Sequence, residues 1–423
     1  MSDPGPGGGT NDPRDGGTGG FGGFGFGPGG DPEAFADTPL FREIQRVMSS
    51  SDGPINWELA RQVGIATAQE GKPDPEPTDE DRATFEGAVR VAELQIGELT
   101  GLEPPTDVAR VRPVRRATWV EENLTGLREL LEPAADRVSD ALATQQGGGD
   151  LAAQLPEELR SQLPPGFEQQ LQQAMTMFAP LMMGTQVGQT LGFLGQNVMG
   201  QYDVAVPRPG PGALLFVVPN IARFEADWSL PPTDFRTLIA IHEVTHRFEF
   251  ARPWAASRFR ELLEDFLSTM QIDAGELQQR MAGIDMSDPE AMRRAVEDGD
   301  GLFGTVLDDE QRLKLGRIQA FMAAAEGYGD HVMYTIGRSL LSSYARIEEA
   351  MRRYRESEVH DPVFERLLGI EMKRDQYRQG RAFCDTVVEL TDEATLTTMW
   401  DSPEAMPSLP EIEEPRLWLA RSA

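Results

Sequence analysis

Asp234-Phe235-Arg236-Thr237-Leu238-Ile239-Ala240-Ile241-His242-Glu243-Val244-Thr245-His246-Arg247-Phe248-Glu249-Phe250 is the stretch on which the reading turns. Apolar residues recur through it at three- and four-residue spacing, and Thr233 or Asp234 can cap its start. The pattern predicts a helix over about 232–252. His242 and His246 stand four residues apart within it, one above the other on the same helix face, so both imidazoles can reach one Zn2+ ion. Glu243, beside the first histidine, is rotated toward the metal's open side. There it can act as general base, taking a proton from zinc-activated water and passing it to a leaving amine. The apolar run Leu238–Ile241 points to a buried helix, and the pair uses two of only four histidines in 423 residues.

Zinc of this kind needs a third protein ligand and an open fourth position. The helical pattern around Leu315–His331 offers Glu326 and Asp330, which are cofacial at i and i+4. Glu326 is the candidate third ligand, and Asp330 is placed to accept the far N–H of a ligating histidine. His331 is an alternative third ligand. The small run Ala323-Ala324-Ala325 suits a face where one helix packs tightly on another. Tyr328, Tyr334, Arg338 and Tyr344 are candidates for steadying an oxyanion, and the sequence does not choose among them. His360 sits in the charged stretch 355–361 and reads as a surface residue.

His242–His246 followed by Glu326-x-x-x-Asp330 resembles the gluzincin arrangement of zinc metallopeptidases. HEVTHRFEF (242–250), EGYGDHVM (326–333), GRAFCDTVVEL (380–390) and Trp400-Asp401-Ser402-Pro403 are similar to a little-characterised bacterial zincin-like family. Its members are called zinc-dependent metalloproteases or hydrolases, and some are linked by label to deazaflavin-cofactor biosynthesis. The resemblance covers roughly residues 39–423. It implies a mainly α, zincin-like fold with a small β element beside the active-site helix. It also implies His242, His246 and Glu326 as zinc ligands, Glu243 as the base, and a peptide or protein substrate. Arg247 departs from the apolar residue usual after the second histidine. Two functions compete with the hydrolase: a zinc-binding scaffold that has lost hydrolysis and, less favoured, a membrane-associated protein using 175–195 as an anchor.

The remainder of the chain supports a helical, water-exposed protein. The charge sum is −30, with 39 basic against 69 acidic residues, which disfavours nucleic acid and anionic lipid as partners. One cysteine, Cys384, excludes a disulfide framework within the chain. With no basic-then-apolar leader pattern at the start, the expected compartment is the cytoplasm. Residues 1–38 are Gly-rich and are expected to be disordered. Residues 39–423 are read as one helical region in two parts, 39–165 and 166–423, with the metal site in the second.

Helices are expected from Asn56 to Ala68, over 78–102, and over 117–145 with a break near Pro133. Further ones are expected over 167–203, 255–271, 274–282, 288–296, 308–355, 361–369 and 374–391. Residues 400–423 read as loop. Gly184, Gly188 and Gly192, spaced by four in a very apolar stretch, suggest a buried helix that another helix approaches closely. Ala213–Val218 is the clearest strand. It can pair with Tyr202–Val206 as a hairpin, and it is either a docking edge for an extended substrate or plain core.

Overall fold

The computed structural model describes residues 53–145, 167–202, 213–269, 308–356 and 374–422, all within one compact unit, Val47–Ala423. The expectations for the Gly-rich tail, for the helices at 274–282, 288–296 and 361–369, and for His360 lie outside those residues. So do all but Tyr202 of the proposed hairpin partner.

Helix α1, Trp57–Ala68, starts where Asn56 caps it, the side chain accepting from the Leu59 N–H at 2.9 Å. Helix α2, Asp79–Thr100, opens on a reciprocal capping box between Thr78 and Asp81 and ends at Gly101 in the left-handed region, φ 70°. Strand β1, Val111–Val114, follows, and then helix α3, Arg116–Gln145. Pro133 does not break α3. The carbonyl it leaves without a donor belongs to the exposed residue Glu129, where water can satisfy it.

Helix α4, Phe167–Asn197, carries the glycine stripe. A Cβ at Gly184, Gly188 or Gly192 would come within 2.6 Å of a backbone oxygen of α1 or its cap (Asn56, Ala60 and Gly64 in turn). The stripe therefore seats α1 directly on α4, as expected, while the helix is buried on one side only, Met182 and Gln189 being exposed. Among the described residues no helix is long and apolar enough to cross a membrane.

Strand β2, Leu214–Val217, is buried at all four positions and pairs in parallel with β1, Val111 opposite Leu214 through Val114 opposite Val217. On its other side Phe216 bridges antiparallel to Gly200, and the Val217 N–H donates to the Met199 carbonyl at 2.8 Å. Both flanks of β2 are thus occupied. It is core rather than a docking edge, and the Phe216 ring stacks on Phe85 of α2 at 4.3 Å.

Helix α5, Val218–Asp227, follows with Pro219 in its first turn, then α6, Pro232–Phe250, and α7, Ala255–Ser268. The pattern over 308–355 resolves into two helices, α8 (Asp309–Leu340) and α9 (Tyr344–Glu356). They part at Leu341–Ser343 because Asp234 accepts from the Ser343 N–H and from the hydroxyls of Ser342 and Ser343. Those bonds favour a bend over a continuing helix. Helix α10 is Arg374–Leu390 and α11 is Glu393–Thr397. The segment expected to be loop holds two short helices, α12 (Leu409–Glu413) and α13 (Pro415–Ser422). Fully buried Trp418 and Trp400 anchor it to the core. The layers that matter for the site run α2, α6, α8, α10, with α6 between α2 and α8.

Candidate metal centre

Every residue of α6 from Leu238 to Glu249 is buried. A helix enclosed on all sides normally carries apolar residues all round, yet this one bears two histidines, two glutamates and an arginine. Each of those needs a partner. Arg247, the residue out of pattern, finds two: its guanidinium lies 2.8 Å from Glu93 and 3.2 Å from Asp107. The oddity is a buried guanidinium answered by two solvent-reaching carboxylates, of which Glu93 ties α6 to α2.

The imidazoles of His242 and His246 lie 4.5 Å apart, centre to centre, with planes at 86°. Glu326 on α8 faces both, its Oε2 being 3.8 Å from His242 Nε2 and 3.8 Å from His246 Nε2. One donor atom from each of the three falls within 4.8 Å of the others. A tetrahedral zinc with bonds of about 2.0–2.1 Å sets its donors roughly 3.3 Å apart, so Glu326 would close on each imidazole by about half an ångström, and no donor pair by more than about 1.5 Å. Gly329 makes the approach of α8 possible. A Cβ there would stand 2.9 Å from His246 Cε1 and 3.1 Å from its Nε2. Farther along, Ala323 and Gly327 meet Gly380 of α10 so closely that a side chain on either glycine would collide with backbone. The small residues thus stack α10, α8 and α6 tightly around the site.

His246 is held from behind. Its Nδ1 lies 2.8 Å from Glu249 Oε2, and Glu249 is fully buried. Its Nε2 is also buried and has no hydrogen-bond partner among the described residues. Burial works against a proton on this ring, but Glu249, Glu326 and Glu243 outweigh it and push its pKa up to about 10. His242 is raised too: burial and His246 oppose its charge, and Glu243, Glu326 and Asp330 prevail. Four carboxylates (Glu243, Glu249, Glu326 and Asp330) surround two imidazoles in a buried space. Such a donor set calls for a divalent cation, and the orphaned Nε2 faces the place where it would sit.

Asp330 stands differently from the sequence expectation. Its Oδ1 is 3.9 Å from His242 Nε2, the nitrogen that also faces Glu326, rather than at the far N–H of either ring. The residue behind the His246 ring is Glu249, which sequence reasoning missed. The signal was present, since Glu249 lies three residues after His246 on the same helix. His331 is not brought to the cluster. Its Nδ1 lies 2.6 Å from Asp385 and its Nε2 2.9 Å from Glu393.

Glu243 is gripped by backbone. Its Oε2 accepts from the N–H groups of Gln201 at 2.8 Å and Tyr202 at 2.9 Å. Its Oε1 lies 3.9 Å from His242 Nδ1. Among the oxyanion candidates, the Tyr328 hydroxyl pairs with Thr397, Tyr344 with Glu348, and Arg338 lies over the Tyr344 ring. Tyr334 lies under the Arg381 guanidinium at 4.1 Å.

The sequence model of a family described as zincin-like metallopeptidases matches residues 55–419 of this chain. A crystal structure described as "a putative hydrolase with a novel fold" from Chloroflexus aurantiacus is 30% identical in sequence, with a TM-score of 0.61. The match covers 87% of this chain and 98% of that one. No curated protein matches the chain.

Proposed function

The chain belongs to the zincin-like metallopeptidase family, and from that membership we propose that it is a zinc-dependent hydrolase that cleaves peptide bonds. His242 and His246, each through Nε2, and Glu326 through Oε2 would hold the zinc. When bound, zinc supplies a Lewis acid that polarises the scissile carbonyl and makes water nucleophilic near neutral pH.

The protein's own groups do the rest. Glu243 receives the proton of the attacking water and returns it to the leaving nitrogen. Glu249 accepts the Nδ1 proton of His246, which fixes the tautomer and turns the Nε2 lone pair toward Glu326. Asp330 adds negative charge on the same side of His242 and so favours a cation there. The observation that carries the reading is His246 itself, with one nitrogen gripped by a buried carboxylate and the other buried, unbonded and aimed at Glu326.

The test is digestion of a degenerate peptide library by zinc-loaded protein beside its Glu243→Gln variant. Cleavage by the first and none by the second, at equal zinc content, is the expected result. No cleavage by either points instead to a metal-holding scaffold without hydrolysis.

A further inference from the structure

The turn after α4 meets the site in a way that the proposed reaction has not yet used. Gly200 lies so close to Glu243 that a Cβ on it would stand 2.1 Å from the carboxyl carbon and 2.2 Å and 2.6 Å from the two oxygens. The next two residues, Gln201 and Tyr202, direct their backbone N–H groups at one of those oxygens. Two donors converging on one oxygen fix the plane of a carboxylate as well as its position.

The turn is fixed from several sides. The Trp119 indole N–H donates to the Gly200 carbonyl at 2.9 Å, and the Gln201 side-chain amide donates to Asn123 at 3.2 Å. Asn220 donates to the carbonyls of Gly195 and Val198 at 2.9 and 2.6 Å, holding the end of α4 from which the turn departs. Gly200 bridges to Phe216 of the sheet. The Tyr202 ring stacks on Phe250 at 5.6 Å and leans on His246 at 5.8 Å. The turn is thus anchored to α3, α6 and the sheet, and the helix end it leaves is anchored to α5.

We propose that Gly200-Gln201-Tyr202 is a backbone clamp that positions Glu243, with Gly200 as its obligatory positioning residue. The two amides hold the carboxylate at the orientation in which it serves as base, and Gly200 is needed because only a residue without Cβ lets the amides come that near. The proposal rests on the peptidase reading for its catalytic consequence, while its structural half, the Gly200–Glu243 contact, stands by itself.

Gly200→Ala therefore has two separable readouts. In the zinc-loaded full-length protein, kcat on a cleaved peptide should fall by roughly 100-fold, as for a base displaced by about an ångström. KM and zinc affinity should stay within about twofold, since the added methyl meets Glu243 and not a proposed ligand; unchanged kcat overturns the clamp. The second readout needs no activity. The melting-temperature loss caused by Gly200→Ala should largely disappear in a Glu243→Ala background, where the new methyl has room. If Gly200→Ala alone fails to fold, folding of the double variant reports the same contact. A double variant as damaged as the single one shows that Gly200 serves the chain path instead, and the proposal falls. Stability coupling with no peptide cleaved by the wild type would retain the clamp and retire the peptidase reading.

Discussion

Glu326 and Asp330 compete for the place of third ligand, and the proposed site gives it to Glu326. Both carboxylates approach His242 Nε2, at 3.8 and 3.9 Å, but Glu326 also lies 3.8 Å from His246 Nε2. Only a donor near both imidazoles can share an ion with them. Structural zinc in small four-ligand sites is bound with about 10–16 kcal/mol, or roughly 2.5–4 kcal/mol per ligand. Glu326→Ala should therefore weaken zinc binding by about 2–4 kcal/mol, which is roughly 30- to 1,000-fold in Kd. Asp330→Ala removes a nearby charge but no ligand, and should cost about tenfold, the low end of the range for groups around a metal site. The assay is competition against a chromophoric chelator of known zinc affinity, with metal content measured after dialysis and folding checked by far-UV circular dichroism. Equal affinities for wild type and Glu326→Ala would refute the assignment. So would a larger loss for Asp330→Ala, which would make Asp330 the ligand.

Three further expectations follow from the same geometry. Without metal, His246 keeps its proton up to about pH 10, so zinc uptake at pH 7 should release at least one proton, read as buffer-dependent heat in calorimetry; no release would contradict Nε2 ligation. His331 is raised to about 9, burial opposing its charge while Asp385 and Glu393 sustain it. A folded pKa above the unfolded value of about 6.5 gives stability that is complete below pH 6.5 and lost as pH rises through about 9, here on the order of 2–3 kcal/mol. Urea titration at pH 6 and pH 10 should show His331→Asn closing most of its gap to wild type at the higher pH; an unchanged gap would deny the charged pair. Gly188→Val places a Cβ 2.6 Å from the Ala60 carbonyl oxygen and 2.9 Å from Val63 Cβ, and should lower unfolding free energy by about 2 kcal/mol or more; a loss below about 0.5 kcal/mol would mean that α1 and α4 are not in contact there.

What the sequence discloses tracks how local the cause is. His242 and His246 are legible because four residues of helix alone set their spacing, and Glu326 and Asp330 for the same reason. Asn56 and Thr78 announce α1 and α2 by capping chemistry that acts within three residues. Strand β1 is not legible. Arg112 and Pro113 interrupt its apolar pattern, and its partner β2 lies about a hundred residues on, so its pairing exists only in the folded chain. The bend between α8 and α9 depends on Asp234, again a distant residue. The grip on Glu243 is made by backbone N–H groups, which every residue but proline possesses. No side-chain pattern can mark that grip in advance, and only Gly200 leaves a trace of it. Glu249 is only half legible: its place three residues after His246 is local, but the burial that makes their pairing obligatory is a tertiary fact.

Anomalous diffraction at the zinc absorption edge, from crystals of the zinc-loaded full-length protein, bears most directly on the metal centre. One peak is expected, bonded at about 2.0–2.2 Å to His242 Nε2, His246 Nε2 and a Glu326 oxygen. A zinc-loaded crystal with no peak there, or with a peak whose bonded atoms leave out either imidazole, would contradict the assignment of the site and with it the hydrolase.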